Sequence, residues 1–179
     1  MFSHPEKNIT QAYVGEGMVV ADFGSGSGHH AIAAARAVGK YGKVYAIDVQ
    51  IDLLHKIKKD AERQGLDNVD ILHADLEQER GSGLADHSVD RVFIFNTLFF
   101  SEVRSTIVGE AFRILRSKGR LAIIDWSHES EVNIGPKKDQ RISKSETITL
   151  AKSAGFLFEK EFDAGDHHYG LLFTVPKHP

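Results

Sequence analysis

Three aspartates, Asp22, Asp48 and Asp75, each stand at the end of a short apolar run: Val19-Val20-Ala21-Asp22, Val44-Tyr45-Ala46-Ile47-Asp48 and Val69-Asp70-Ile71-Leu72-His73-Ala74-Asp75. After the first comes Phe23-Gly24-Ser25-Gly26-Ser27-Gly28-His29-His30, and then an alanine-rich amphipathic segment from Ala31 to Val38. Glycines at 24, 26 and 28 permit a tight turn and let a ligand approach main-chain atoms without meeting a Cβ. Carboxylates beside such a turn suit a ligand that is cationic or rich in donors: an ammonium or sulfonium, a ribose diol, an exocyclic amine. A dinucleotide fits less well. Its fingerprint needs a third glycine one place later, where His29 stands, and an anion-friendly loop. Here Asp22 adjoins the turn, and from it to Arg36 there is no Lys or Arg.

The elements that must position these acids follow from hydrophobic periodicity. Strands are expected at 17–23, 43–48, 69–73, 89–95, 120–125, 156–162 and 170–175. Helices are expected at 28–39, 51–64 (stripe Leu53, Leu54, Ile57, Ala61), 102–116 and 144–154. The last of these has Ser143 and Glu146 at capping-box spacing. Gln78 to His87 reads as a polar loop. Alternating strands and helices predict an α/β, doubly wound, mostly parallel sheet, and the closing pair of strands predicts a terminal hairpin with the last strand antiparallel. In such a sheet the carboxyl ends of successive strands share one edge, where ligands bind. The three acids therefore form a row.

This pattern of an acid before G-x-G-x-G, an acid after strand 2 and an Asp after strand 3 resembles the class I S-adenosylmethionine-dependent methyltransferases. Within them it is most like the small ubiquinone/menaquinone C-methyltransferase-related enzymes, through Asp125-Trp126, Gly135-Pro136 and His168-Tyr169-Gly170. The resemblance implies a seven-stranded sheet of order 3-2-1-4-5-7-6 and S-adenosylmethionine as cofactor, leaving as S-adenosylhomocysteine. It also implies cofactor contacts from Asp22, Phe23, Gly24, Ser25, Gly26 and Gly28. Asp48 with Val49 would hold the ribose, Ala74, Asp75 and Leu76 the adenine, and Asn96 would lie near the methionine end.

Length and composition bound the rest. The chain has 179 residues, 41% hydrophobic and 26% charged, which fits one domain with one core. It divides into an N-terminal lid segment (1–16), a cofactor-binding core (17–126) and a loop, helix and terminal hairpin (127–179). A formal net charge of −3 provides no basic field to steer the chain to nucleic acid. The absence of cysteine excludes disulfides, thiolate metal sites and a cysteine nucleophile. It also makes arsenite a poor acceptor and fits a cytoplasmic location. No membrane span or signal sequence is read. The pairs His29-His30 and His167-His168 are adjacent and diverge, so no metal site is expected.

A small-molecule acceptor is the expected substrate. RNA or protein methylation and a non-catalytic cofactor-binding subunit are the alternatives, and the oligomeric state stays open. Acceptor-side groups must come from the same sheet edge: Asn96, Thr97, Asp125, His128, His168 and Tyr169. Of these, His128 and Tyr169 are expected to be catalytic, on walls formed by the 126–142 loop and the 163–169 turn.

Overall fold

The computed structural model describes residues 4–130 and 135–177. One sheet contains β1 (Val19–Phe23), β2 (Lys43–Asp48), β3 (Val69–His73), β4 (Val89–Phe95), β5 (Leu115–Trp126), β6 (Leu157–Phe162) and β7 (His168–Thr174). The strand order is β3-β2-β1-β4-β5-β7-β6. The pairs β1–β2, β1–β4, β2–β3 and β4–β5 are parallel, whereas β7 runs antiparallel to both β5 and β6. The architecture is the doubly wound α/β sheet that the periodicity and the resemblance imply.

Helices α1 (Pro5–Gln11), α2 (His29–Val38) and α3 (Ile51–Arg63) cover one face, and α4 (Arg104–Ile114) and α5 (Lys144–Ser153) the other. Because β1 and β4 are covered on both sides, their sequences are nearly continuous apolar runs rather than alternating ones. The buried alanines 31, 33, 34 and 35 of α2 present little bulk to the sheet. Helix α3 buries Leu54, Ile57 and Ala61 along one stripe. The capping box of α5 is formed: Glu146 N donates to Ser143 Oγ at 3.2 Å, and Ser143 N donates to Glu146 Oε2 at 2.9 Å.

No helix lies between β3 and β4; the connection is a loop braced by the buried Glu110, which accepts from Ser82 N at 3.0 Å and from Arg113 Nε at 2.7 Å. A Cβ on Gly81 would sit 2.0 Å from the carbonyl oxygen of Asp75, so this glycine lets the loop close onto the end of β3.

Several boundaries differ from the sequence reading, most of all the start of β5, at Leu115 rather than Arg120. Helix α4 stops at Ile114, and Leu115 is already extended and paired with Val89; the register of β5 against β4 then shifts, so that Arg91 pairs with Arg120, and Lys118, at φ 63°, lies within the shift. Strand β7 begins at His168, two residues early, because Trp126↔His168 and Asp125↔Tyr169 continue the β5 ladder.

The N-terminal segment is pinned at its far end. The buried Arg91 donates through Nε to Ala12 O (3.0 Å) and through Nη2 to Tyr13 O (2.9 Å), while Arg120 and Lys160 lie 4.9 and 4.2 Å from the Tyr13 ring. Residues 1–3 of the expected lid lie outside the described residues. No described helix is long and apolar enough to cross a membrane.

Candidate active site

The glycine loop turns its amides inward. Gly24 N and Ser25 N both donate to Ile47 O (2.9 and 3.0 Å), and Gly26 N donates to the carboxylate Oδ2 of Asp48 (2.9 Å). Asp48 Oδ1 accepts from Gln50 N at 2.9 Å. These loop amides are therefore committed to protein acceptors, one of them a carboxylate. A phosphate would have to displace that carboxylate, so the loop is not the anion cradle of a dinucleotide fold.

Glycine is required here for definite reasons. Gly24 has φ +70°, and a Cβ on it would sit 2.6 Å from Thr97 Oγ1. Gly28, at φ +80°, precedes α2, and its Cβ would sit 2.4 Å from Ile57 Cγ1 on α3. Thr97 is itself held by Oγ1 donating to Phe23 O at 3.2 Å.

At the carboxyl edge of β1–β4 lies a cavity of about 830 Å³, toward the upper end of ordinary small-molecule sites. Ten of the twelve expected cofactor residues line it: Asp22, Gly24, Ser25, Gly26, Asp48, Val49, Ala74, Asp75, Leu76 and Asn96. The two that do not are Phe23, buried in the core beneath the loop, and Gly28, whose role is the close approach of α2 to α3. The described lining includes four acids, Asp22, Asp48, Asp75 and Glu77, and no Lys or Arg.

Asp22 carries the electrostatic character of the site. Burial pushes its pKa up to about 7, the Asp48 carboxylate pushes the same way, and a bond from the Ala31 amide at the start of α2 opposes them. One of its oxygens, Oδ2, is buried without a partner. Seven buried side-chain N and O atoms lack a partner among the described residues. Five belong to four cavity residues: Asp22 Oδ2, Ser25 Oγ, Asn96 Oδ1 and both ring nitrogens of His168. Buried polar groups are ordinarily satisfied, so this concentration marks a place built for a ligand. Asn96 also holds φ 54°, an uncommon conformation for a residue with a side chain, while donating its amide to Ile124 O at 2.7 Å.

The acceptor end differs from the expectation. His128 does not line the cavity; its Nε2 bonds Arg141 O at 2.6 Å and braces the loop after β5. Tyr169 is buried on the α5 side of the sheet, its hydroxyl bonded to Thr147 Oγ1 at 2.7 Å and donating to Ile142 O at 3.1 Å. The physical reason is strand parity. With β7 starting at His168, the side chains of 168 and 169 face opposite ways. The structure therefore brings His168 to the cavity and turns Tyr169 from it, together with its ladder partner Asp125, which is buried and absent from the lining.

Of the 126–142 loop, Trp126 alone is in the described lining, and residues 131–134 lie outside the described residues. Of the 163–169 turn, His168 alone lines it. Phe95, Thr97, Phe100, Ser101 and Ile107 complete the acceptor-side wall, with Pro5 and His30 at the lid. His30, pushed down to about 4 mainly by burial, packs edge-on to Phe95 at 4.7 Å and bonds Asn8 Nδ2 on α1 at 3.1 Å. The described residues contain no cluster of three His, Cys, Asp or Glu that could hold a metal ion.

A seven-stranded sheet with a reversed last strand, and acids at the ends of β1 and β2 and just beyond β3, define the α/β class that binds S-adenosylmethionine. A family model described as "Methyltransferase domain" matches residues 15–165, and the chain belongs to that family.

The chain is 27% identical over 187 residues to an arsenite methyltransferase of Aquipseudomonas alcaligenes, covering 97% of this chain and 51% of the relative. It is 36% identical over 128 residues to a protein-L-isoaspartate O-methyltransferase of Methanococcoides burtonii, covering 70% and 57%. The chain thus spans little more than half the length of these curated relatives. A crystal structure of a SAM-dependent methyltransferase from Aquifex aeolicus superposes with a TM-score of 0.87 at 29% identity, covering 97% of this chain and 90% of that one.

Proposed function

We propose that the protein transfers a methyl group from S-adenosylmethionine to a small, uncharged acceptor bound beside Trp126 and His168. The carrying observation is the cavity itself, whose described lining has four acids and no Lys or Arg, with loop amides already spent on Ile47 and Asp48. Asp48 would accept from the ribose hydroxyls and Asp75 with Leu76 would hold the adenine. Asp22, Ser25 and Asn96 would meet the methionine end, where the unpaired Oδ2 of Asp22 faces a cationic ligand favourably. When bound, the cofactor supplies a sulfonium-activated methyl group. The chain's task is then to bring the acceptor into line with it and to exclude water.

The acceptor is not taken from the relatives. The chain has no cysteine, so the thiolates that suit trivalent arsenic are absent from this chain, and the likeness to quinone C-methyltransferases rests on three short motifs. Protein and RNA acceptors are less favoured, because the acidic described lining repels a phosphate backbone and offers no cation to a carboxylate. A cytoplasmic setting fits the cysteine-free composition.

Calorimetry with S-adenosylmethionine, S-adenosylhomocysteine and NAD tests the cofactor assignment. The two sulfur compounds should bind and NAD should not. Comparable or tighter NAD binding would overturn it.

A further inference from the structure

We propose that the Trp126–His168 pair forms a subsite for a flat, uncharged, apolar molecule carrying one hydrogen-bond donor, which bonds to a ring nitrogen of His168. This rests on the reading of the neighbouring acid row as the S-adenosylmethionine site, and it adds what stands beside it.

The two rings are cross-strand neighbours on β5 and β7, with centroids 4.4 Å apart. The indole is held in place. A Cβ on Gly135 would sit 2.5 Å from the Trp126 ring, so the loop backbone lies against the indole, and the Arg141 guanidinium stands 5.8 Å from it. That guanidinium is spent on the loop, with Nη1 donating to Ser127 O and Ser130 O at 2.8 Å each. The acceptor-side wall of the same cavity draws its apolar surface from Phe95, Phe100 and Ile107, beside the hydroxyls of Thr97 and Ser101. Phe100 is 79% exposed, so its ring is accessible to a ligand at this wall.

His168 supplies the specificity. Neither ring nitrogen has a partner, and neither is open to solvent. An unsatisfied buried imidazole is costly, and a ligand donor relieves that cost. The ring reaches such a donor by turning about its Cβ–Cγ bond, a broad torsion in histidine. Burial first, then His167 and Arg141, push its pKa down to about 4. The ring is therefore neutral near pH 7 and offers one nitrogen as an acceptor. A carboxylate or phosphate ligand would find no cation in the described lining, since Arg141 lies behind Trp126 bonded to loop carbonyls, and it would share the cavity with four acids. Shape selects a flat apolar body, the missing cation selects against anions, and the free nitrogen selects a donor.

The chain has one tryptophan, so its fluorescence reports this subsite alone. The probes are p-cresol, 4-methylanisole and p-toluate, which share one ring and differ in donor and charge. They are titrated into the full chain saturated with S-adenosylhomocysteine, whose own binding is measured first by calorimetry. p-Cresol should perturb Trp126 and bind about three- to tenfold more tightly than 4-methylanisole, the value of one neutral hydrogen bond. p-Toluate should bind at least about tenfold more weakly than p-cresol, because its carboxylate would lose water without gaining a cation from the described lining. His168→Phe keeps a ring on Trp126 and should retain 4-methylanisole binding while abolishing the p-cresol preference. His168→Gln restores an acceptor and should recover part of it. p-Toluate binding as tightly as p-cresol, or a p-cresol preference surviving in His168→Phe, would overturn the subsite. If S-adenosylhomocysteine itself fails to bind, the cofactor reading falls. If it binds and the probes do not discriminate, only the subsite falls.

Discussion

Asp22→Asn should stabilise the ligand-free protein and, in the same stroke, weaken S-adenosylmethionine binding. In the folded chain burial and the Asp48 carboxylate raise the Asp22 pKa from 3.8 to about 7. Each pKa unit is worth about 1.4 kcal/mol, so holding this carboxylate ionised costs folding about 4 kcal/mol above neutral pH. Asparagine has nearly the same shape and keeps an oxygen for the Ala31 amide, but it carries no charge. Its own amide must find a partner, at a cost of about 1–3 kcal/mol if it finds none. The net gain is about 1–3 kcal/mol, or roughly 3–10 °C in Tm for a domain of this size.

The pH dependence identifies the cause. Between about pH 4 and 7 the folded state retains the Asp22 proton that the unfolded state has lost, so wild-type stability falls as pH rises through that window. The slopes from His30 and His168, both pushed down to about 4, run the other way but are common to both proteins and cancel in the difference. The variant should thus be less stable than wild type near pH 4 by the cost of its amide, overtake it as pH rises to about 7, and keep a level advantage above. Thermal unfolding of both proteins across this range measures it. Calorimetry at about pH 8 should show S-adenosylmethionine bound roughly 10- to 150-fold more weakly, the value of one hydrogen bond to a charged group. A variant no more stable than wild type at about pH 8, an advantage independent of pH, or unchanged cofactor affinity would refute the reasoning.

Asp48→Ala removes the acceptor assigned to the ribose and should weaken cofactor binding by about 1.5–3 kcal/mol by calorimetry. Tyr169→Phe deletes a hydroxyl bonded to Thr147 and Ile142. It should cost about 1 kcal/mol in denaturant unfolding and leave cofactor affinity unchanged, since the ring faces away from the cavity. His128→Ala frees the loop contact at Arg141 O and should leave S-adenosylhomocysteine affinity within about 0.5 kcal/mol, while increasing proteolytic cleavage after β5. Gly28→Ala forces a Cβ against Ile57 at φ +80° and should lower stability by a few kcal/mol, read from Tm.

The half of the cavity proposed for the cofactor was legible in the sequence because its signals are local. A strand buried on both faces is an apolar run, so an aspartate that ends the run announces both the strand end and the ligand edge. Asp22 and Asp48 show this directly. The acceptor half depends on facts that are not local. Residues 168–174 are mostly apolar and buried on both faces, so β7 has no alternation to reveal which way His168 and Tyr169 point. Its start is set by the ladder to β5, which extends two residues beyond the hydrophobic pattern. His128 looks like a base from its place after β5. What disposes of it is a carbonyl 13 residues further on. Phe23 and Gly28 stand next to true lining residues in sequence, and only the inward turn of the loop separates them from the cavity.

The same division runs through the energetics. Away from the cavity most buried polar groups are satisfied, with Asn68 Oδ1 and Asp125 Oδ2 the exceptions among the described residues: Glu110 is met by Ser82 and Arg113, Arg91 by the carbonyls of Ala12 and Tyr13, and Arg141 by those of Ser127, Ser130 and Pro136. At the cavity, Asp22, Ser25, Asn96 and His168 are left with unpaired atoms, and Asn96 adds a strained backbone angle. A fold able to satisfy its buried groups elsewhere retains these costs where ligands can relieve them, which is the usual trade of stability for function. Asp22 and His168 then express one device with two signs. Asp22 is a buried carboxyl pushed up to about 7 and His168 a half-buried imidazole pushed down to about 4; the first is positioned to become a carboxylate against a cation, the second to stay neutral and accept a donor. Together they divide the cavity into a charged half and an uncharged half, and the methyl group would cross between them.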